Sequence, residues 1–203
     1  MSSTSLWPGM SNPDHSRWYI QRFRSMAQRG DDLDGEARMV DAMVPRGSRI
    51  LDAGSGPGRT GGYLAAAGHD VVGVDIDPLL IEAAQEDHPN ATWITADLTE
   101  LNLPEHGEDH PFDAIVAAGN VLAFIPDGLE VRALQRLAGH LKMDGFIAIG
   151  FGLNRGLTLA DFDDYADKAG LTVRQRFSTW DIKPWDDSSH FAVTILAHKN
   201  TGL

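Results

Sequence analysis

The chain contains no cysteine among its 203 residues. Disulfide bonds, thiolate nucleophiles and cysteine-based zinc sites are therefore excluded. Long apolar runs are also missing, since no stretch approaches the roughly 20 apolar residues that a membrane-spanning helix needs. Residues 1–10 have no basic region followed by an apolar core, which argues against a secretory signal and favours a cytoplasmic protein.

Positive charge is scarce, because 17 Lys and Arg face 29 Asp and Glu and give a formal net charge of −12. A surface this acidic repels phosphate backbones and anionic lipid, so neither bulk nucleic acid nor a membrane is an expected partner. We expect a small-molecule substrate instead. The arginines at 17, 22, 24 and 29 are interpreted as a solvated helix face. No pattern in the sequence indicates an oligomeric state.

The order of elements predicts one α/β domain over residues 14–203, preceded by a mobile tail at 1–13. Predicted helices cover 14–29, 34–44, 58–67, 78–87, 129–141 and 159–169, and predicted strands cover 49–53, 70–74, 92–96, 112–118, 145–150, 171–181 and 191–199. Asp14 and Asp77 are the expected N-caps of the first and fourth helices. Two N-terminal helices within 14–45 thus precede a strand–helix core over 46–203, whose repeated units imply a parallel sheet. Only 182–190 separate the last two strands, so the final strand should run antiparallel.

The most informative stretch reads Ile-Leu-Asp-Ala-Gly-Ser-Gly-Pro-Gly-Arg over residues 50–59. A buried strand ends in an acid, and a glycine-rich turn leads into a helix. Glycine lets a ligand approach the backbone closely, and the helix start offers free N–H groups. The residues of this turn expected to contact a cofactor are Asp52, Ala53, Gly54, Ser55, Gly56 and Gly58.

Two cofactors compete for such a turn. Residues 56–61 match the dinucleotide fingerprint G-x-G-x-x-G, so an NAD(P)-dependent oxidoreductase is one alternative. S-adenosylmethionine is favoured because Asp52 would repel a pyrophosphate but suits an ammonium group. Asp75, at the end of the second strand, suits the ribose hydroxyls of either cofactor. Asp97, at the end of the third strand, can accept a hydrogen bond from an adenine amino group.

From residue 46 to 199 the chain resembles the class I S-adenosylmethionine-dependent methyltransferases. The resemblance rests on the glycine motif at 52–58, the acids Asp75 and Asp97, the fourth-strand segment 112–120 and the terminal hairpin. It implies a Rossmann-like, doubly wound seven-stranded sheet of order 3-2-1-4-5-7-6, flanked by helices and covered by an N-terminal helical lid. It also implies S-adenosylmethionine as cofactor, S-adenosylhomocysteine as product and no metal.

The resemblance also assigns roles to single residues. Asp75 would hold the ribose, Ile76 would pack against the adenine, and Asp97 would meet the adenine amino group. Leu98, next to Asp97, is also expected to contact the cofactor. The end of the fourth strand would line the methionine part of the cofactor through Ala118, Gly119 and Asn120. Residues 119–122 lack the Asn/Asp-Pro-Pro-Tyr/Phe motif of enzymes that methylate amides or exocyclic amines, and they resemble small-molecule methyltransferases instead.

The N-terminal helices supply further candidates. Tyr19 and Arg22 lie one helical turn apart and are expected to cover the cofactor. Arg22 or Arg38 would pair with the methionine carboxylate, with a surface position as the alternative for each arginine. Trp18 and Phe23 are expected in the core.

No residue is identified as an obligatory general base, and the candidates for this role are Asp181, His190 and Tyr19. The candidates for the acceptor site are Tyr19, Asn120, Trp180, Asp181 and His190. Asn120 alternatively caps the next segment, and we favour a packing role for Trp180 and Trp185. A non-catalytic S-adenosylmethionine-binding protein is a second alternative. The eight histidines show no metal-ligand spacing.

Overall fold

The computed structural model of the chain describes residues 5–199, within which seven strands form a single sheet. The strands are β1 (Arg49–Ala53), β2 (Asp70–Asp75), β3 (Thr92–Thr95), β4 (Phe112–Ala117), β5 (Leu141–Gly152), β6 (Leu171–Phe177) and β7 (Phe191–His198). They are arranged in the order β3-β2-β1-β4-β5-β7-β6. Strands β1 to β5 pair in parallel, whereas β7 runs antiparallel to both β5 and β6. The predicted Rossmann-like topology is confirmed.

Six α-helices lie within the described residues: α1 (Pro13–Gln28), α2 (Gly35–Met43), α3 (Arg59–Ala66), α4 (Pro78–Asp87), α5 (Glu130–His140) and α6 (Leu159–Lys168). Short 3-10 helices cover Pro8–Met10, Leu103–His106 and Val121–Phe124. Strand β6 ends four residues earlier than predicted, because the chain turns where Ile182 N–H donates to the Thr179 carbonyl at 3.1 Å. No helix among residues 5–199 is long and apolar enough to cross a bilayer.

The two predicted helix caps have different outcomes. Asp77 caps α4, since its Oδ1 accepts the Leu79 N–H at 2.9 Å. The prediction of Asp14 as the cap of α1 is wrong, because Asn12 caps that helix and its Oδ1 accepts the Asp14 N–H at 3.2 Å. Pro13 lacks an N–H and takes the first helical position, which moves the cap one residue upstream of the proline.

The sheet is covered on both faces, as parallel sheets require. Neighbouring residues of β1 point to opposite sides. Ile50 packs in a cluster with Val40 of α2 and Leu64 of α3. Leu51 packs in a second cluster with Leu134 of α5. This two-sided core leaves the carboxyl edge of the strands as the place where loops can form a cleft.

The N-terminal segment differs from the predicted mobile tail in its described part, whereas residues 1–4 lie outside the described residues. The Leu6 N–H donates to the Phe124 carbonyl at 2.9 Å. The indole Nε1 of Trp7 donates to Asp77 Oδ2 at 2.9 Å, and its ring lies edge-on to Tyr19 at 5.2 Å between centroids. These partners are far apart in sequence, so the composition of residues 1–13 does not reveal them.

Candidate functional site

The carboxyl ends of the first four strands open into a cleft of about 930 Å³, including the part open to solvent. Eleven of the predicted cofactor residues line it: Tyr19, Asp52, Gly54, Ser55, Gly56, Asp75, Ile76, Asp97, Leu98, Ala118 and Gly119. The cleft therefore joins residues that are widely separated in the sequence.

The glycine turn after β1 forms one wall of the cleft. Gly54, Gly56 and Gly58 have φ angles of 73°, 55° and 84°, in the left-handed region that favours glycine. A Cβ at Gly54 would lie 2.5 Å from Val121 Cγ2, and one at Gly58 would lie 2.9 Å from Ala84 Cβ. Side chains are thus disfavoured by conformation at all three positions and excluded by space at Gly54 and Gly58, and bare backbone faces the cleft at Gly54 and Gly56.

Asp75 connects the glycine turn to the start of α4. Its Oδ2 accepts the Gly56 N–H at 2.8 Å, and its Oδ1 accepts the Asp77 N–H at 2.9 Å. Burial raises the pKa of this carboxyl to about 6, although the backbone donors act in the opposite direction. The carboxylate is therefore fixed in place before any ligand arrives.

Two further carboxyls stand at the ends of β1 and β3. Asp52 is 1% exposed, and its Oδ2 accepts the Gly61 N–H of α3 at 2.7 Å. Burial raises the pKa of Asp52 to about 7. Asp97 Oδ1 accepts both the N–H and the hydroxyl of Thr99 at 2.8 Å. Three acids thus border one cleft, each held by neighbouring donors.

Helix α1 closes the side of the cleft next to the glycine turn, and Glu36 of α2 holds Arg59 there. A Cβ at Gly56 would lie 3.7 Å from Tyr19 Cε1, so the Tyr19 ring stands close over the turn. Arg59 lines the cleft and donates two hydrogen bonds to Glu36, at 2.7 and 2.8 Å, and a third to the Leu33 carbonyl. The Arg59 guanidinium lies 5.6 Å from the Phe23 ring centroid.

Residues 50–145 match the family model described as a methyltransferase domain. The crystal structure of a TehB-like SAM-dependent methyltransferase from Corynebacterium glutamicum is 45% identical in sequence and superposes with a TM-score of 0.87. That match covers 93% of this chain and 100% of the other. The chain belongs to the S-adenosylmethionine-dependent methyltransferases.

Two further matches of this methyltransferase have lower sequence identity. A ubiquinone biosynthesis O-methyltransferase of Aliivibrio fischeri is 29% identical over 155 residues, which cover 68% of this chain and 63% of that protein. This chain therefore spans less than two thirds of the length of that relative. The CcbJ methyltransferase from Streptomyces caelestis is 18% identical, with a TM-score of 0.71 and coverage of 81% and 94% of the two chains, and shows the shared fold alone.

Four predicted cofactor residues of this methyltransferase are not in the lining: Arg22, Ala53, Gly58 and Asn120. Ala53 is buried in β1. Arg22 is exposed, and its guanidinium lies 5.7 Å from the ring centroid of Trp18. The prediction of a core position for Trp18 is wrong, because α1 turns this side chain to solvent and leaves it 55% exposed. Phe23 is half-buried and lines the cleft.

Asn120 connects two strands. Its φ of 65° places it in the left-handed region, where asparagine is tolerated. Its Oδ1 accepts the Gly152 N–H at 2.7 Å, which joins the end of β5 to the segment after β4. The Asn120 carbonyl accepts the Ala123 N–H at 2.9 Å and so begins the following 3-10 helix. These contacts agree with the structural alternative, and an acceptor role stays a prediction.

The remaining candidates for the acceptor site and the methionine carboxylate lie outside the lining of this cleft. Trp180 and Asp181 line a second cleft, as does Arg38, which pairs with Asp32 at 2.7 Å. His190 is exposed, and its carbonyl accepts the Leu153 N–H at 2.9 Å. Within residues 5–199, no group of three or more His, Asp or Glu side chains is arranged to hold a metal ion.

Sequence reasoning missed several residues of the cleft, among them Trp7, Arg59, Val121 and Phe124. Arg59 carried a usable signal, because it follows the glycine motif directly and begins α3. Trp7 and Phe124 carried none, since their positions depend on contacts between the N-terminal segment and the chain after β4.

Proposed function

We propose that this chain binds S-adenosylmethionine in the first cleft and transfers its methyl group to a small-molecule acceptor. The observation that carries the proposal is a bare glycine turn bordered by Asp52, Asp75 and Asp97 in one cleft. When bound, S-adenosylmethionine supplies a methyl group that an acceptor heteroatom takes in line, while the C–S bond breaks and its electron pair stays on sulfur.

Asp75 and Asp97 hold the nucleoside part of the cofactor in this proposal. Asp75 is fixed by two backbone donors, so it can accept ribose hydroxyls without reorganising. Asp97 is fixed by Thr99 and accepts from the adenine amino group. Ile76 and Leu98 line the cleft beside these acids and supply apolar contact for the adenine ring.

Arg59 holds the methionine carboxylate in this proposal. Among the described residues that line the cleft, Arg59 alone carries a positive charge. Arg59 donates paired hydrogen bonds to Glu36, which fix the orientation of its planar guanidinium in the cleft wall, and a guanidinium suits a carboxylate. Arg22 and Arg38 are placed less favourably, because neither lines the first cleft.

The protein accelerates the transfer chiefly by alignment. Correct placement of donor and acceptor alone can lower a barrier by ~7–11 kcal/mol at best. Of the three candidate bases, Tyr19 lines the first cleft, whereas Asp181 and His190 lie outside its lining. The cleft also keeps a negative potential from its buried acids, which favours a cationic ligand.

The acceptor is a small molecule in this proposal. The formal net charge of −12 opposes the approach of nucleic acids and of anionic membrane surfaces. Several relatives named as O- or N-methyltransferases of small molecules agree with this class of acceptor.

Calorimetric titration with S-adenosylhomocysteine tests the binding step. Asp75→Asn should weaken binding by about 10–100-fold, because it removes a charge-assisted hydrogen bond to the ribose. Asp70→Asn is the matched control, since Asp70 stands exposed at the opposite end of the same strand. Absence of binding to the unaltered protein at millimolar ligand would refute the proposal. Formation of S-adenosylhomocysteine with a metabolite pool then separates catalysis from binding alone.

A further inference from the structure

Trp93 of β3 reaches across the neighbouring strand toward the glycine turn. The sheet register pairs Asp52 of β1 with Gly73 of β2, and Gly73 with Trp93, so these three residues stand side by side on one face of the sheet. Gly73 has no side chain, and a Cβ there would overlap Trp93 Cζ3. The indole therefore lies over β2 and extends toward Asp52 and the start of α3.

Two more glycines leave open the slot that the indole fills. A Cβ at Gly58 would lie 2.9 Å from Trp93 Cη2, and one at Gly61 would lie 2.8 Å from the same atom. Carbon atoms that are not bonded to each other do not pack this closely, so both residues must be glycine while the indole is in place. Trp93 is buried, and its Nε1 donates to the His88 carbonyl at 2.8 Å. This hydrogen bond fixes the ring in the slot.

The slot explains two glycines of the fingerprint at 56–61. Among the described residues, Gly56 lines the first cleft, whereas Gly58 and Gly61 do not. Gly58 caps α3 with a φ of 84°, and its N–H donates to the Ser55 carbonyl at 3.1 Å, which closes the turn. The second and third glycines of the fingerprint thus accommodate the indole, and only the first faces the cofactor site.

Gly61 also links the indole to a buried acid of the cofactor site. Its N–H donates to Asp52 Oδ2 at 2.7 Å, while Trp93 fills the space where its side chain would lie. Burial raises the pKa of Asp52, and the Gly61 donor opposes this rise. The other charged groups that act on this carboxyl are Arg59, Asp75 and Glu36. The indole therefore limits how the first turn of α3 is placed against Asp52.

From these contacts we propose that Trp93 is a positioning residue for the cofactor site, whose indole sets the placement of the glycine turn and of the Gly61 N–H on Asp52. It does so without touching the cofactor, because it lies outside the lining of the first cleft. Residues that support a site in this way decide how precisely the contacting groups are held. The inference rests on the proposed function, since it assigns a residue to that same site.

Calorimetric titration of Trp93→Phe with S-adenosylmethionine tests the proposal. The phenyl ring is shorter than the indole, so the atoms that reach Gly58 and Gly61 are lost together with the Nε1 donor. We expect S-adenosylmethionine to bind about tenfold more weakly. Trp93→Met, whose flexible side chain refills irregular gaps, is a second variant and should change the affinity in the same direction. Melting temperatures confirm that each variant is folded.

The pH dependence of binding separates positioning from a loss of stability. Without the indole, the Gly61 N–H is held less firmly on Asp52, so the pKa of this carboxyl should rise further. The pH at which the affinity for S-adenosylmethionine increases should therefore move upward in Trp93→Phe. Phe162→Leu is the matched control, because Phe162 is also buried and packs against Phe151 at 5.0 Å between ring centroids in the core cluster of α5. It should lower the melting temperature but leave both the affinity and its pH dependence unchanged.

The inference requires both changes in Trp93→Phe, so unchanged affinity or an unmoved pH dependence would overturn it. The same changes in Phe162→Leu would overturn it as well, because loss of stability would then account for them. If the unaltered protein fails to bind S-adenosylmethionine, the proposed function fails first. If the unaltered protein and both Trp93 variants bind it equally, only the role of Trp93 fails.

Discussion

Burial of two carboxyl groups under the glycine turn couples ligand binding to pH. The pKa of Asp52 is raised to about 7 and that of Asp75 to about 6, in both cases chiefly by desolvation. A positively charged ligand favours the ionised forms, so binding should release protons in this range. We predict that the affinity for S-adenosylmethionine rises from about pH 5 to about pH 8. Calorimetry in two buffers with different ionisation enthalpies measures the protons released.

The raised pKa values of Asp52 and Asp75 also affect the stability of the ligand-free protein. Stability should fall as the pH rises, whereas ligand affinity should increase. A folded-state pKa above the unfolded value stabilises the fold at low pH, and this contribution declines as the pH rises from about 4 through about 7. Asp52→Asn removes one titrating group and should reduce both the proton release and this pH dependence. A proton release of zero across the range in the unaltered protein would contradict the assignment.

We predict that Arg59 contributes to binding of the methionine carboxylate and that Arg22 does not. Arg59→Lys keeps the charge but loses the planar fork, so S-adenosylhomocysteine should bind about tenfold more weakly. Arg22→Lys changes an exposed arginine outside the lining and should leave the affinity unchanged. Calorimetry on both variants provides the comparison. The reverse outcome would restore the original prediction for Arg22 and remove Arg59 from the site.

At the scale of whole elements, the sequence predicted the sheet well because its signals are local. Apolar runs mark the parallel strands, and Pro78 marks the start of α4 at the predicted residue. The error at the end of β6 arose because Thr179 and Trp180 are strand-type residues, while backbone hydrogen bonds turn the chain there. Local pattern does not encode such competition with tertiary contacts.

Because sequence patterns report local structure only, some residues of the cleft could be predicted and others could not. Asp52, Asp75 and Asp97 were found because each ends a predictable strand, and parallel strands bring their carboxyl ends to one edge. Trp7 and Phe124 were missed because their meeting at 5.3 Å depends on how the N-terminal segment packs across the finished fold. Residues fixed by the sheet are thus predictable, and residues fixed by loop packing are not.

The N-terminal segment from 5 to 12 crosses the cleft and is fastened at both sides. Leu6 binds the Phe124 carbonyl on one side, and Trp7 binds Asp77 on the other. Ser16 also donates to Asp77, so this buried carboxylate holds two elements. Trp7→Phe keeps an aromatic ring but removes the indole donor and should release the segment more often.

We therefore expect Trp7→Phe to speed dissociation of S-adenosylhomocysteine by roughly three- to tenfold, the effect of losing one hydrogen bond of about 1 kcal/mol. Stopped-flow displacement measures this rate. Trp18→Phe is the control, since Trp18 is 55% exposed on α1 and does not line the cleft. Equal dissociation rates for Trp7→Phe and the unaltered protein would show that this fastening does not limit release.

The charge distribution of the whole molecule acts together with the cleft. The chain carries a formal net charge of −12, and three of its acids surround the glycine turn. A pyrophosphate would meet repulsion from the surface and from the cleft alike, whereas a sulfonium is attracted by both. The glycine fingerprint at 56–61 is shared with dinucleotide sites, so this electrostatic difference is what separates the two ligands.

Thermal unfolding of the whole chain measures the selectivity of the cleft between S-adenosylmethionine and NADH. A ligand that binds only the folded state stabilises it by about 2.7 kcal/mol at a hundredfold excess over its Kd. For a domain of this size, 1 kcal/mol shifts the melting temperature by about 2–4 °C, so S-adenosylmethionine should raise it by about 5–10 °C. NADH at the same concentration should leave it unchanged, and Asp75→Asn should lose about half of the shift or more. A shift with NADH equal to that with S-adenosylmethionine would mean that the acids around the turn do not select the ligand.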